Sequence, residues 1–416
     1  MGRLVFVPGG SIYYNRVLKD VKFLINMTAI SKRITTMVPR ERMRNAMTGG
    51  KVDRTPVMCQ PSWGHILLNS KIDPVDLWHE PEAYAKGLLW VQRNYHFDGI
   101  LMSVNGFDSQ WRKSILKTYK DSNGTMTIDF KDGTKITYPK DELPFSSRVA
   151  PVNTDFQSFD VDSISTDIPT YLPVSQGLKF SISPIIEERR FLIEYLREQT
   201  DEKKSLHGEI YSPFDYFLDL FGLENSLMNL ILDAGKCREI ISRFTEGNMK
   251  YVQEMIASGC DAIKISSPYA GQGFISRQMY CDFVQPFESK IAQVVKQCGA
   301  DVYVHTCGAI DDRLELMRDA GFSGIECLDP PPLGNVMLTD AVRRVGKDLF
   351  IKGNIDSVNM LLANNAAVCK ADAIERIRIG RQAKGFILST ACSIAPHVKP
   401  ENVAVLYEAA EETCRD

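Results

Sequence analysis

The sequence contains no apolar run of the roughly 20 residues needed to cross a bilayer, so no membrane span is expected. It also lacks a charge imbalance: 49 basic residues stand against 52 acidic ones, a formal net charge of −3. A chain without a broad positive field is a poor match for nucleic acid. The stretch Met1 to Asn26 is interrupted by Arg3, Arg16, Lys19, Asp20 and Lys22. It has no clean apolar core before a small-residue cleavage site, so no signal peptide is expected. The ten cysteines show no paired spacing. They read as reduced thiols of a cytoplasmic protein, available as soft metal ligands rather than as a disulfide framework.

What is present is an ordinary globular composition, 44% hydrophobic and 24% charged over 416 residues. A chain of this size buries a large core without staples. Residues 1–38 carry weak periodicity and read as an arm outside the core, leaving 39–416 as the main domain. Arg40 to Met47 reads as a short helix, opened by Pro39 and closed by Gly49-Gly50.

Beyond it, short apolar runs alternate with longer helical stretches. The runs are Pro56–Gln60, Gly99–Val104, His207–Tyr211, Ala262–Ser266, Val302–His305, Gly324–Leu328, Leu349–Lys352 and Phe386–Thr390. Eight buried parallel strands alternating with helices predict an α/β fold, the (β/α)8 TIM barrel. A doubly wound sheet is the rival, disfavoured by the strand count and by the absence of a Gly-x-Gly-x-x-Gly turn after the first strand. About 100 residues separate the second and third strands, more than one helix requires. Within them, Thr125–Phe130 and Thr134–Tyr138 alternate apolar and polar residues around Lys131-Asp132-Gly133, a β-hairpin signature. The segment from about 112 to 200 therefore reads as an insertion on the barrel rim.

Barrel enzymes carry their chemistry where strands end, on the C-terminal face. His305 and Cys307 end the fifth strand with one residue between them, so both side chains point the same way. Cys392 ends the eighth strand at the corresponding height and supplies a third ligand across the mouth. Three protein ligands with an open position suit catalytic zinc, and mixed nitrogen and sulfur donors favour zinc over magnesium or calcium. Against this stands the ordinary use of cysteine as a small core residue. Cys59 and Cys327 also lie at strand ends but have no metal-spaced partner.

Arg40 to Met47 and Gly50-Lys-Val-Asp-Arg-Thr-Pro56-Val resemble the opening of the uroporphyrinogen decarboxylase superfamily. Val304-His-Thr-Cys-Gly308, Ile351-Lys-Gly-Asn-Ile-Asp356 and Ser389-Thr-Ala-Cys392-Ser-Ile-Ala-Pro396 resemble its corrinoid methyltransferase branch. The resemblance runs from about residue 39 to 412 and is densest from 300 to 400. It implies a (β/α)8 barrel in which His305, Cys307 and Cys392 bind zinc. The decarboxylases carry an arginine-rich segment after the first strand, where this chain has Cys59-Gln-Pro-Ser-Trp-Gly-His65. A porphyrin bearing many carboxylates calls for such arginines, which disfavours a decarboxylase-like lyase.

The branch moves methyl groups between a small molecule and the cobalt of a separate corrinoid (cobalamin) protein. One direction carries methyl from a methylated substrate to Co(I). The other carries it from methyl-Co(III) to a thiol such as coenzyme M. Zinc serves both, polarising a leaving oxygen or holding a thiolate. Trp63, Trp111, Tyr211, Phe214 and Tyr269 sit at or after strand ends, where they can line a flat substrate pocket. The segment Gly324 to Gly334 also resembles the O-demethylase-like members. The reading is demethylation of a methoxylated, aromatic compound.

Within it, Glu326 stands as fourth zinc ligand or as proton donor to a departing phenolate. Asn354 and Asp356 orient substrate or a ligand, with structural turn-making as the equal alternative. Expected partners are the corrinoid protein and a small methylated substrate, with a homodimer left open. A cofactor-free decarboxylase predicts no metal, and a non-catalytic zinc or corrinoid-binding protein predicts a closed four-ligand site.

Overall fold

The computed structural model describes residues 37–146, 154–174 and 178–415. The arm expected over residues 1–38 lies, apart from Met37 and Val38, outside the described residues. Among the described residues, thirteen strands are numbered in chain order. They are β1 (Gly99–Met102), β2 (Ile115–Lys120), β3 (Met126–Phe130), β4 (Lys135–Tyr138), β5 (Phe145–Ser146), β6 (Tyr171–Pro173), β7 (Lys179–Ser181), β8 (Ser205–Tyr211), β9 (Ala262–Ser266), β10 (Asp301–Thr306), β11 (Gly324–Cys327), β12 (Phe350–Ile355) and β13 (Phe386–Thr390).

A seven-stranded parallel sheet runs in the order β1-β8-β9-β10-β11-β12-β13. Each of its strands coincides with an apolar run of the sequence, and a helix follows each one, with Ile186–Gln199 following β1 after the rim insertion, as a (β/α)8 barrel requires. The expected first strand, Pro56–Gln60, closes the ring without forming a regular ladder. Val57 bridges Leu388 of β13, Met58 N–H donates to the Leu388 carbonyl at 3.0 Å, and Asp98 N–H donates to the Val57 carbonyl at 2.8 Å. Pro56 and Pro61 bracket this segment and lack N–H donors, which limits the ladder to isolated bridges.

The barrel interior is filled from the bottom up. Met58, Leu101, Ala262, Tyr303, Phe350 and Ile387 form an apolar layer with Met43, Ala46 and Met47 of the helix Pro39–Thr48. That helix plugs the lower end. Beneath the wall, Asp98, wholly buried, receives Arg42 at 2.6 Å and Arg54 at 2.8 and 2.9 Å, and its Oδ2 also accepts from Val57 N–H at 2.8 Å. One buried carboxylate thus ties the plug helix, the irregular first strand and the entry to β1. Arg42 also forks onto Asp53.

The hairpin expected around Lys131-Asp132-Gly133 is present as antiparallel β3 and β4. Gly133 takes φ of 87° at the turn, a conformation open to glycine at little cost. It belongs to a larger rim structure, a four-stranded sheet β2-β3-β4-β5 followed by the two-stranded β6-β7. Among the described residues no helix is long and apolar enough to cross a membrane.

Candidate metal centre and active site

Strand period places the inward residues in layers. Above the apolar layer, Glu209 of β8, Lys264 of β9, Glu326 of β11 and Lys352 of β12 point into the barrel, all nearly inaccessible to solvent. Lys264 Nζ lies 3.1 Å from Glu209 and 3.3 Å from Glu326, and Lys352 Nζ contacts the other Glu326 oxygen and Ser389 Oγ, the latter at 3.1 Å. Burial pushes the Glu326 carboxyl up, but the ammonium groups of Lys264 and Lys352 outweigh it and hold the group well below the usual carboxylate range. The two acids and two lysines balance one another in a place where an unpaired charge would be costly.

His305, two residues beyond Tyr303 as Lys264 is beyond Ala262, joins this layer next to Glu326 in the β10–β11 register. Its Nδ1 lies 3.1 Å from Glu326 Oε2 and its Nε2 lies 3.3 Å from Cys307 Sγ. The ligand atoms of His305, Cys307 and Cys392 all fall within 4.8 Å of one another. His305 is 4% exposed, while the two cysteines are half-buried at the mouth. The neighbouring Cys307 and burial push the Cys392 thiol up, because two thiolates side by side repel unless a cation lies between them. One imidazole and two thiols at this spacing fit a zinc ion with an open coordination position.

Cys307 is shared with a second group, Cys327 and Asp329, whose ligand atoms also lie within 4.8 Å of one another. Cys327 and Leu328 take φ of 80° and 58°, turning the chain sharply at the end of β11. The turn delivers Asp329, whose Oδ2 accepts the Gly308 N–H at 2.7 Å and so braces the Cys307–Gly308 loop.

The other expected site residues divide. Glu326 contacts His305 Nδ1 and two lysines, which supports an anchor for the imidazole rather than a ligand or a proton donor, since an ionised carboxylate has no proton to give. Asn354 donates to the Leu328 carbonyl and accepts from Arg376, each at 2.9 Å. Asp356 caps the helical turn Ser357–Leu362 through Val358 and Asn359 N–H. The hydrogen bonds of both support the turn-making alternative.

A cavity of about 200 Å³ lies beside the cluster, with Ser393, next to Cys392, in its wall. Trp63 and Tyr211 line it, with Trp63 stacked on Tyr84 at 5.0 Å. Glu142 and Leu143, from the rim structure, cover one side. Trp111, Phe214 and Tyr269 are not among its walls. Trp111 is stacked on His79 at 3.9 Å and donates to Glu80, at the root of the rim sheet. Phe214, at the start of the helix Pro213–Phe221, is fully buried in the main hydrophobic core. Tyr269 is half-buried and packs edge-on against Phe274 at 5.1 Å, and burial with the charges of Asp215 and Cys307 raises its hydroxyl.

Sequence reading missed Gln60, Glu209, Lys264 and Lys352. Gln60 lines the cavity, its Oε1 accepts from Lys264 Nζ, and its Nε2 donates to Ser103 Oγ at 3.4 Å. A lysine inside an apolar strand such as Ala262-Ile-Lys264-Ile-Ser266 is the signal that marks such a network, because a buried charge needs a partner.

A barrel with a thiol–imidazole cluster at its mouth defines the class. Residues 186–413 match the family model for uroporphyrinogen decarboxylase (URO-D), and the chain belongs to that family. It is 25% identical over 223 residues to a methylcobamide:CoM methyltransferase MtaA of Methanosarcina barkeri, covering 53% of this chain and 62% of that protein. With the same enzyme from Methanosarcina barkeri strain Fusaro it is 25% identical over 381 residues, covering 90% of this chain and 97% of that protein. A solved methyltransferase structure from Methanosarcina mazei superposes with a TM-score of 0.68 at 21% identity, over 91% of this chain and 99% of that one. That likeness bears out the barrel fold. The relatives come from the branch expected from the sequence. The first match spans under two thirds of its relative's length.

Proposed function

We propose that this chain is a zinc-containing, corrinoid-dependent methyltransferase that takes a methyl group from a methoxylated aromatic compound and passes it to a corrinoid protein. The observation that carries this reading is the convergence of His305, Cys307 and Cys392 at the barrel mouth, with a cavity of about 200 Å³ whose wall includes Ser393, the residue after Cys392. The relatives, named methylcobamide:CoM methyltransferases, support transfer involving a corrinoid. The aromatic wall of Trp63, Tyr84 and Tyr211 supports a flat substrate.

Zinc held by the three residues supplies Lewis acidity toward the leaving oxygen. The protein's own part is positional. Glu326 fixes the His305 ring through Nδ1, Asp329 braces the loop that carries Cys307, and the two lysines keep Glu326 ionised. The aromatic wall holds the ring, and the rim residues Glu142 and Leu143 limit water on one side. The side of the mouth away from the rim accepts the corrinoid domain.

The test is methyl transfer from 2-methoxyphenol to free cob(I)alamin, followed by visible absorbance, with the zinc-loaded protein. A rate above the protein-free control that disappears in Cys392→Ala is expected. The second direction, from a methylated corrinoid to a thiol, is favoured by the names of the relatives, and activity only with 2-mercaptoethanesulfonate as acceptor would establish it instead.

A further inference from the structure

Resting on the methoxyaryl reading above, we infer that the cavity beside Cys392 selects uncharged methyl aryl ethers, with the Gln60 side-chain amide donating to the ether oxygen that leaves, and turns away anionic substrates.

The size of the cavity sets the first limit. About 200 Å³ is below the roughly 300–1,000 Å³ usual for drug-sized ligands, which leaves room for one small ring. Charge sets the second. Among the described residues, its walls contain no lysine or arginine and one acid, Glu142. The nearest buried cation, Lys264, is already shared by Glu209, Glu326 and Gln60. Glu209 has one buried oxygen, Oε2, without a hydrogen-bond partner, which adds negative potential behind Gln60. A carboxylate or sulfonate entering such a space would shed its hydration and meet no counter-charge.

Gln60 is oriented for a donor role. Its Oε1 is engaged by the Lys264 ammonium, so the Nε2 side of the amide faces away from that cation. That nitrogen carries two N–H groups, and its one hydrogen bond among the described residues, to Ser103 Oγ, is long at 3.4 Å. The lysine also polarises the amide and strengthens its N–H as a donor. As the methyl carbon leaves, the C–O bond pair stays on the aryl oxygen, and the reduced cobalt of the partner's corrinoid supplies the pair for the new carbon–cobalt bond. The developing oxyanion is met by Gln60 N–H and takes its proton from solvent on release. A fixed amide donor aimed at such an oxygen is worth roughly 10²–10³ in rate where it has been removed from other enzymes.

The experiment is calorimetric titration of the zinc-loaded protein with 2-methoxyphenol, 4-methoxybenzoate and 2-mercaptoethanesulfonate, in wild type, Gln60→Leu and Gln60→Asn. Binding of the neutral ether at least tenfold tighter than either anion is expected. Equal or tighter binding of an anion, or no binding of the neutral ether, overturns the inference. The donor role is read separately, from single-turnover demethylation of methyl aryl ethers whose phenols differ in acidity. Gln60→Leu steepens the dependence on leaving-group acidity. An unchanged slope in both folded variants removes Gln60 from the mechanism. Neutral-selective binding without methyl transfer leaves the pocket assignment standing and rejects the proposed reaction, so the two failures are distinguishable.

Discussion

His305 Nδ1 lies 3.1 Å from Glu326 Oε2, and this contact leaves Nε2 as the nitrogen that faces Cys307 and Cys392. Carboxylates behind a metal-binding imidazole fix its tautomer and raise its basicity, and their loss weakens metal binding by roughly 10–100-fold. Glu326→Gln is therefore expected to keep the fold and bind zinc with about that loss of affinity, measured by competition with a chromophoric chelator. Complete loss of zinc would make Glu326 itself a ligand. Unchanged affinity would reduce the contact to packing.

The ligand set is tested by metal analysis of purified wild type beside Cys392→Ala. About one zinc per chain in the wild type and little in the variant is expected from a three-ligand site. A variant that retains full zinc would shift the assignment to the Cys307, Cys327 and Asp329 group.

At the other end of the barrel, Asp98 binds Arg42 and Arg54 with no exposure to solvent. Removing one partner of a buried ionic cluster leaves uncompensated charge and costs about 3–5 kcal/mol. Asp98→Asn should lower stability by that order in urea denaturation while the zinc content of the folded fraction stays unchanged. A loss under 1 kcal/mol would mean that Asp53 on Arg42 and Glu411 on Arg54 satisfy the arginines without it.

Glu288 is buried in the helical shell, and desolvation pushes its carboxyl up to about 7. A folded pKa above the ordinary 4.5 means that the fold prefers the protonated form. Its contribution to stability is complete below about pH 4.5 and is lost as pH rises through 7. Glu288→Gln should therefore leave stability near pH 5 almost unchanged and raise it at pH 8, by as much as ~3 kcal/mol. A variant destabilised equally at both pH values would show that the carboxyl is paired in a way its neutral form cannot reproduce.

How much of this was legible in the sequence follows from the kind of signal each residue leaves. Seven strands and the rim hairpin were readable because buried parallel strands and Asp-Gly turns impose local patterns. The eighth, Pro56–Gln60, read as a strand, but its flanking prolines reduce it to bridges. His305 and Cys307 stood out because two side chains able to bind a metal, two residues apart at a strand end, share one direction. The network behind them did not. Glu209, Lys264 and Lys352 are single charges on three strands far apart in sequence, and their pairing exists only once the strands from β8 to β12 are assembled into one curved sheet. The aromatic residues were legible as a set and not one by one, because a place near a strand end does not distinguish a cavity wall such as Tyr211 from a core position such as Phe214, three residues on.

Gly64 links the rim to the cavity. A Cβ added there would lie 1.9 Å from the Asp141 carbonyl oxygen and 2.8 Å from Pro396 Cβ. The backbone of the rim thus packs directly on the start of the helix Trp63–Ser70, and Glu142 and Leu143, the next two residues, form part of the cavity wall. Gly64→Ala cannot be accommodated by a rotamer change, since the nearest atom is backbone, so the 141–143 segment must move outward. Overpacking of this kind costs about 1–3 kcal/mol when the structure resists. Here one neighbour is a surface loop that can yield, so a melting shift at the low end of that range is expected. The larger effect should fall on the ligand: weaker binding of 2-methoxyphenol with a faster off-rate, as one wall of the cavity retreats. Calorimetry and stopped-flow tryptophan fluorescence measure the two. Unchanged binding with a large loss of stability would mean that the helix, rather than the rim, gives way, and that the rim structure does not enclose the substrate.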